Sequence, residues 1–284
     1  MSKIRVFSDS TCDLPPELRE QHQIGIIPLY VTFGEDAYKD GVEMTPLQLF
    51  HKVDELGYLP KTASPSPGDF IQAFAPAIEA GDDIIFIGLS TELSSTCQNA
   101  IIAADSFPEG RITVVDSRNL STGIGLLVLK AVRAAEAGRT LQEIEQIVLD
   151  SRDRIETEFI IDTLDYLHKG GRCSSLQNFI GSLLKIRPVV KVVDGRMILA
   201  AKLRGKREKT LEQLIQNALH FKDQLEGETI SVTHALAEEE AIQVREILLR
   251  ETNAKEVLLA ETGCVISSHC GPHTVGIVLS RNGS

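Results

Sequence analysis

Three short apolar runs, Ile4 to Phe7, Asp83 to Ser90 and Arg111 to Ser117, are each followed by a stretch of helical pattern. That alternation constrains the fold more than any other feature. Parallel strands cannot be joined by tight turns, and helix-length crossovers between strands imply a right-handed, parallel sheet. The run Asp83 to Ser90 is apolar almost without interruption, as expected of a strand covered on both faces. The helix starts are well marked. Thr45-Pro46-Leu47-Gln48 combines a capping Thr, an early Pro and a Gln at the capping-box position. Ser66-Pro67-Gly68-Asp69 repeats the device, and Thr140 to Glu143 forms another box. Asp13, just ahead of Pro15, reads as a further helix start. Gly25 to Phe33 reads as one strand, with Pro28 marking an edge or a bend. A helix is predicted over about 95 to 105 and a long apolar helix over roughly 122 to 137.

The second half has a different rhythm. A strand and helix (Glu158 to Leu167) lead through Gly170-Gly171 into a hairpin whose turn is Asp194-Gly195. An amphipathic helix (Lys209 to Leu225), a strand, a helix (Glu238 to Arg250) and two more strands follow. These patterns predict an α/β protein in two parts. Residues 1–155 form an N-terminal three-layer α/β/α domain with a parallel sheet. Residues 156–284 form a C-terminal α+β domain with a mixed sheet. A length of 284 residues also favours two domains over one core.

Charge and motif content exclude several functions. The formal net charge is −11, which disfavours nucleic acid and anionic membrane surfaces as partners. No run is long enough to span a bilayer, so no stable membrane insertion is expected. The opening MSKIRVFSDS carries no charged-then-apolar leader, and the expected location is cytoplasmic. Five scattered cysteines, with no C-x-x-C, suggest reduced thiols. The seven histidines lack metal-ligand spacing, and neither a metal nor another cofactor is expected. There is no P-loop, and Gly88-Leu89-Ser90-Thr91-Glu92 is not a nucleophile elbow.

Ligands on parallel sheets sit at the carboxyl ends of the strands. Here those ends hold Asp9 to Asp13, Lys61 to Pro67, Leu89 to Thr96 and Asp116 to Asn119. Asp9, Asp13 and Asp116 are expected to share this rim. Lys61 to Pro67 is stiffened by two prolines. The residues alone leave open whether Thr62 and Ser64 face a ligand or belong to a rigid connector, while Ser66 reads as a helix cap. Four hydroxyls between Ser90 and Ser95 precede a helix start, which suits an anion; capping by Ser94 or Ser95 explains only one of them. His168 to Ser174 places Arg172 after two glycines, either in a solvated loop or beside a ligand. Ser267 to His273 surrounds His269 with Ser, Gly and Pro.

Taken in order, DSTCDLP (9–15), YKDGVEMTP with KTASPSP, LSTELSSTCQNA, VVDS, LHKGGR and HCGPHTVGI resemble the DegV family over nearly the whole chain. The resemblance implies a long-chain fatty acid, such as palmitate, buried between the two domains. It implies a lipid-binding protein acting in lipid transport or fatty-acid metabolism, with no catalytic residues of its own. The carboxylate would be held by Thr62 and Ser94. Arg172, His269 and Ser95 would lie at the pocket mouth. Some relatives present the carboxylate to an ATP-dependent fatty-acid kinase subunit, which makes such a kinase the implied partner. Two positions depart from the family pattern: Ser95 stands where a Gly is usual, and His273 replaces the last Gly of a Gly-Pro-Gly turn. Tail-contact candidates are Ile27, Leu29, Phe86, Ile160, Ile180 and Leu184, all equally suited to an ordinary core. The rival reading is a self-sufficient hydrolase or acyl transferase using Ser94 with His269.

Overall fold

The computed structural model describes residues 3–172 and 186–282. Cys173, Ser174, Ile180, Leu183, Leu184 and Lys185 lie outside the described residues.

The predicted parallel sheet is present. Strands β1 (Ile4–Asp9), β2 (Gly25–Ile27), β6 (Asp83–Gly88) and β7 (Ile112–Asp116) lie in the order β2-β1-β6-β7, all parallel. Helices α3 (Pro67–Glu79) and α4 (Thr96–Ala104) cover one face; α5 (Thr122–Glu136) and α6 (Leu141–Arg152) cover the other. Under α3 and α4 the core is aromatic: Phe7, Phe70, Phe74 and Phe86 meet edge to face or tilted. Such ring geometries follow from the aromatic quadrupole. Capping boxes open α2 (Pro46–Leu56), α3 and α6, as the sequence predicts.

Two local expectations give way. Asp13 does not start a helix. It sits in the left-handed region at φ 48° and closes a short 3-10 turn, while α1 (Pro16–Gln21) begins after Pro15. The single strand Gly25 to Phe33 is in fact two. Pro28 has no N–H to give a ladder, so pairing breaks there. β3 (Tyr30–Phe33) instead joins β4 (Asp36–Lys39) and β5 (Lys61–Ala63) in a small antiparallel sheet.

The second sheet begins at Ile155. Strands β8 (Ile155–Ile160), β9 (Ile186–Val193), β10 (Arg196–Arg204), β11 (Thr229–Ala235), β12 (Glu256–Glu261) and β13 (Thr274–Ser280) take the order β10-β9-β8-β13-β11-β12. Only β11 and β12 pair in parallel, so the sheet is mixed. The Asp194-Gly195 turn has positive φ at both residues, as a two-residue hairpin of this hand requires. α7 (Asp165–Lys169) precedes the Gly170-Gly171 pair, and α8 (Arg207–Leu219) and α9 (Glu238–Glu251) cover the outer face.

The inner face of this sheet packs on α5. That helix is apolar nearly all round and is buried between the two sheets. One continuous apolar cluster therefore runs from Val6 and Ile87 through α5 to Phe159 and Val278. The last helix, α10 (Cys264–Cys270), comes from the second half of the chain, yet it packs against α2, β3 and β5 of the first.

Candidate functional site

A cavity of about 820 Å³, its open mouth included, lies where the strand ends of the parallel sheet meet α10 and the inner face of the mixed sheet. Its walls are largely apolar, with Leu29, Leu89, Leu93, Phe159, Val265 and Val278 contributing. Of the described tail candidates, only Leu29 lines it. Ile27 and Phe86 point to the opposite sheet face, beneath α3 and α4, and Ile160 points outward under α8. Strand alternation decides this: successive side chains face opposite sides.

Polar side chains line it too, among them Thr62, Ser94, Thr157, Glu158, Thr233 and His269. Thr62 on β5 lies 3.0 Å from His269 Nε2, through its hydroxyl. Ser94 also lines the cavity, and its Oγ is 2.8 Å from Thr96 Oγ1 and accepts from the Thr96 N–H. Ser95 is exposed and is not among the lining residues. Its Oγ meets Ser64 Oγ at 2.8 Å, and Asn99 Nδ2 donates to Ser64 Oγ and to the Pro65 carbonyl at 2.7 Å. Ser95 and Asn99 thus stitch the Thr62 loop to the Ser94 loop. Asn99 carried no signal in the sequence, because its role depends on two loops meeting. Arg172 is exposed at the mouth; it donates to the carbonyls of Gly170 (2.8 Å) and Leu93 (3.3 Å) and pairs with no carboxylate among the described residues. Burial, helped by the Arg172 charge, pulls the His269 pKa down to about 4. The imidazole is therefore neutral at pH 7. Its Nδ1 is enclosed and has no partner among the described residues.

The model of the DegV family of uncharacterised proteins matches residues 3–282. A DegV domain-containing protein of Clostridium perfringens is 35% identical over 272 residues, 96% of each chain. This chain belongs to the DegV family. Among solved structures, a DegV family protein from Thermus thermophilus, described by its fatty-acid binding, matches with TM-score 0.92 at 34% identity, over 98% of this chain and 99% of that one. DegV of Bacillus subtilis, described as a fatty acid binding protein, matches with TM-score 0.89 at 30% identity, over 99% of this chain and 100% of that one. A stearic-acid-binding protein from Eubacterium ventriosum matches with TM-score 0.88 at 28% identity, over 99% of this chain and 98% of that one.

The DegV motifs acquire physical roles in this frame. DSTCD and YKDG supply two buried carboxyl groups that hold the N-terminus of α10. Asp13 accepts from the Gly263 N–H (2.8 Å) and Ser121 Oγ (2.6 Å). Asp40 accepts from the Cys264 N–H (2.6 Å), the Val265 N–H (3.4 Å) and Ser10 Oγ (2.9 Å). Burial raises the pKa of both carboxyls, while these donors and the helix N-terminus favour the charged form. Asp9 caps its own turn and accepts from the Leu89 N–H at 2.8 Å. Asp116, at the same rim, holds Thr91 and the Arg118 N–H. The two glycines of LHKGGR differ in purpose. A Cβ on Gly170 would stand 2.1 Å from His269 Nδ1, so that glycine makes room for the imidazole. Gly171 takes φ +71°, a conformation side chains disfavour. His273 holds the left-handed turn at φ 60° in place of the family's glycine, and its N–H donates to the Ala235 carbonyl at 2.7 Å. Cys12, Cys97, Cys264 and Cys270 are buried free thiols. Among the described residues, no helix is long and apolar enough to cross a membrane.

Proposed function

We propose that this protein binds one long-chain fatty acid such as palmitate, as a carrier in lipid transport or fatty-acid metabolism. The carboxylate would sit on the Thr62 and Ser94 hydroxyls and the tail in the apolar cavity. The observation that carries this reading is a largely apolar cavity whose lining includes the Thr62 and Ser94 hydroxyls, with a neutral imidazole hydrogen-bonded to Thr62. Burial of an acyl tail contributes roughly 0.8 kcal/mol per methylene, on the order of 10 kcal/mol for a long chain before association costs. The tail then supplies affinity, and the hydroxyls need only to orient the head group. With its proton on Nε2, His269 donates to Thr62 Oγ1 and leaves the Thr62 hydroxyl proton for the carboxylate. The opposite tautomer would bury an unpaired N–H at Nδ1, which is the costlier arrangement.

The exposed Arg172, with no carboxylate partner among the described residues, suits a second step, in which a partner ATP-dependent kinase phosphorylates the presented carboxylate. A cation at the mouth favours the incoming phosphoryl charge. Self-sufficient acyl transfer by Ser94 is less well supported, since His269 is engaged by Thr62 and Ser94 by Thr96.

The double variant Thr62→Ala/Ser94→Ala should bind palmitate at least about 100-fold more weakly in a fluorescence displacement titration, two lost hydrogen bonds to a charged group being worth this or more. Unchanged affinity would sink the assignment. Mass spectrometry after mixing with an activated ester tests the rival: burst acylation at Ser94 would favour an enzyme.

A further inference from the structure

The hydroxyls that line the cavity are not all paired. On the wall formed by the mixed sheet, Thr157 donates to Asn119 Oδ1 at 2.8 Å, Thr274 to the Cys270 carbonyl at 3.1 Å, and Thr262 to the His234 carbonyl at 3.2 Å. The lining hydroxyls of the first half of the chain each meet a protein partner as well. Thr233 of β11 lines the same cavity and is only 5% exposed, yet its hydroxyl has no hydrogen-bond partner among the described residues.

Strand alternation gives the direction in which Thr233 looks. Ile230 and Val232 pack into the outer cluster beneath α8 and α9, and Ala235 into the inner one, so Thr233 faces inward. The neighbouring strand makes room for its hydroxyl. Gly276 of β13 stands opposite, and a Cβ there would lie 2.7 Å from Thr233 Oγ1. A glycine in a strand interior weakens the strand. Here it accommodates a hydroxyl that gains no hydrogen bond within the protein. A buried hydroxyl without a partner costs free energy that an apolar group of the same shape would not, and valine has that shape. Two unfavourable features therefore coincide at one place on a ligand cavity, and an oxygen atom of the bound molecule would remove the larger of them.

We propose that the acyl chain this cavity takes carries an oxygen, as a hydroxyl or keto group, partway along its tail, and that Thr233 bonds it. The inference rests on the fatty-acid reading above. A plain chain leaves the Thr233 hydroxyl unpaired, and a site built around a hydrogen bond discriminates against the analogue that lacks it. The test is calorimetric titration of the wild-type protein, Thr233→Val and Thr233→Ser with stearate and with hydroxystearates substituted at successive positions along the tail. Circular dichroism checks each variant's fold. The wild-type protein should bind at least one hydroxystearate more tightly than stearate. Thr233→Val should lower the affinity ratio of that acid to stearate about fivefold or more and leave stearate itself within about twofold, while Thr233→Ser retains the preference. A wild-type protein that binds none of these acids overturns the fatty-acid reading itself. A wild-type preference for stearate over every hydroxystearate, or ratios unchanged in Thr233→Val, overturns the role of Thr233 and leaves the fatty-acid reading in place. If Thr233→Val does not fold, Thr233→Ala removes the same hydroxyl and decides in the same way.

Discussion

Thr62 and His269 form one hydrogen-bonded unit, and their separate contributions can be told apart. Thr62→Ser keeps the hydroxyl and should bind palmitate within about threefold of wild type, while Thr62→Val keeps the shape and should lose about tenfold or more, by displacement titration. His269 also has a pH signature. Its folded pKa, about 4, lies below the ordinary value of 6.5. The folded state therefore binds fewer protons than the unfolded chain, and stability is intact above pH 6.5 and lost as pH falls toward 4. Urea unfolding at about pH 7 and pH 4.5 should find that His269→Gln removes about 2 kcal/mol of this pH dependence. The raised carboxyl pKa values of Asp9, Asp13 and Asp40 act in the opposite sense, with stability lost as pH rises above the unfolded carboxyl value. They are common to both proteins and cancel in the comparison.

Helix α10 carries His269, Val265 and Cys270 into the cavity wall, and its position depends on Asp13 and Asp40. Asp40→Ala strands the Cys264 and Val265 N–H groups and Ser10 Oγ. It should cost about 2–4 kcal/mol in urea unfolding and weaken fatty-acid binding with it. Capping boxes, the Asp194-Gly195 hairpin and the strand-helix alternation were legible in the sequence because each is decided by neighbours along the chain. α10 was not, since it has no side-chain cap at its start and is anchored by carboxyls more than 220 residues away. The split at Pro28 was half legible: proline forbids the ladder but does not say which sheet each half will join. Thr62 and Ser94 were paired by the family resemblance, the residues alone showing only hydroxyls in two loops; the contacts that join those loops, through Ser95 and Asn99, are long-range. Ile27, Phe86 and Ile160 take the other alternative left open for them, that of core residues, because apolar character does not reveal which face of a doubly covered strand looks into a cavity.

At the scale of the whole molecule, α5 serves both sheets, so the two halves of the chain share a core. A fragment of residues 1–155 would expose the α5 surface that β8, β11 and β13 cover, and should appear as an expanded, dye-binding state by ANS fluorescence and near-ultraviolet circular dichroism; a native-like fragment would refute this shared dependence. Ligand bound across the same junction should stabilise the full chain by about 2.7 kcal/mol at 100 times its Kd. The return of α10 to the first forty residues bears on the protein's synthesis. While residues beyond about 260 remain inside the ribosome, Asp13 and Asp40 have no helix to hold, Thr62 has no imidazole, and the cavity lacks a wall. The cavity is thus finished only once α10 and β13 have joined the elements that precede them.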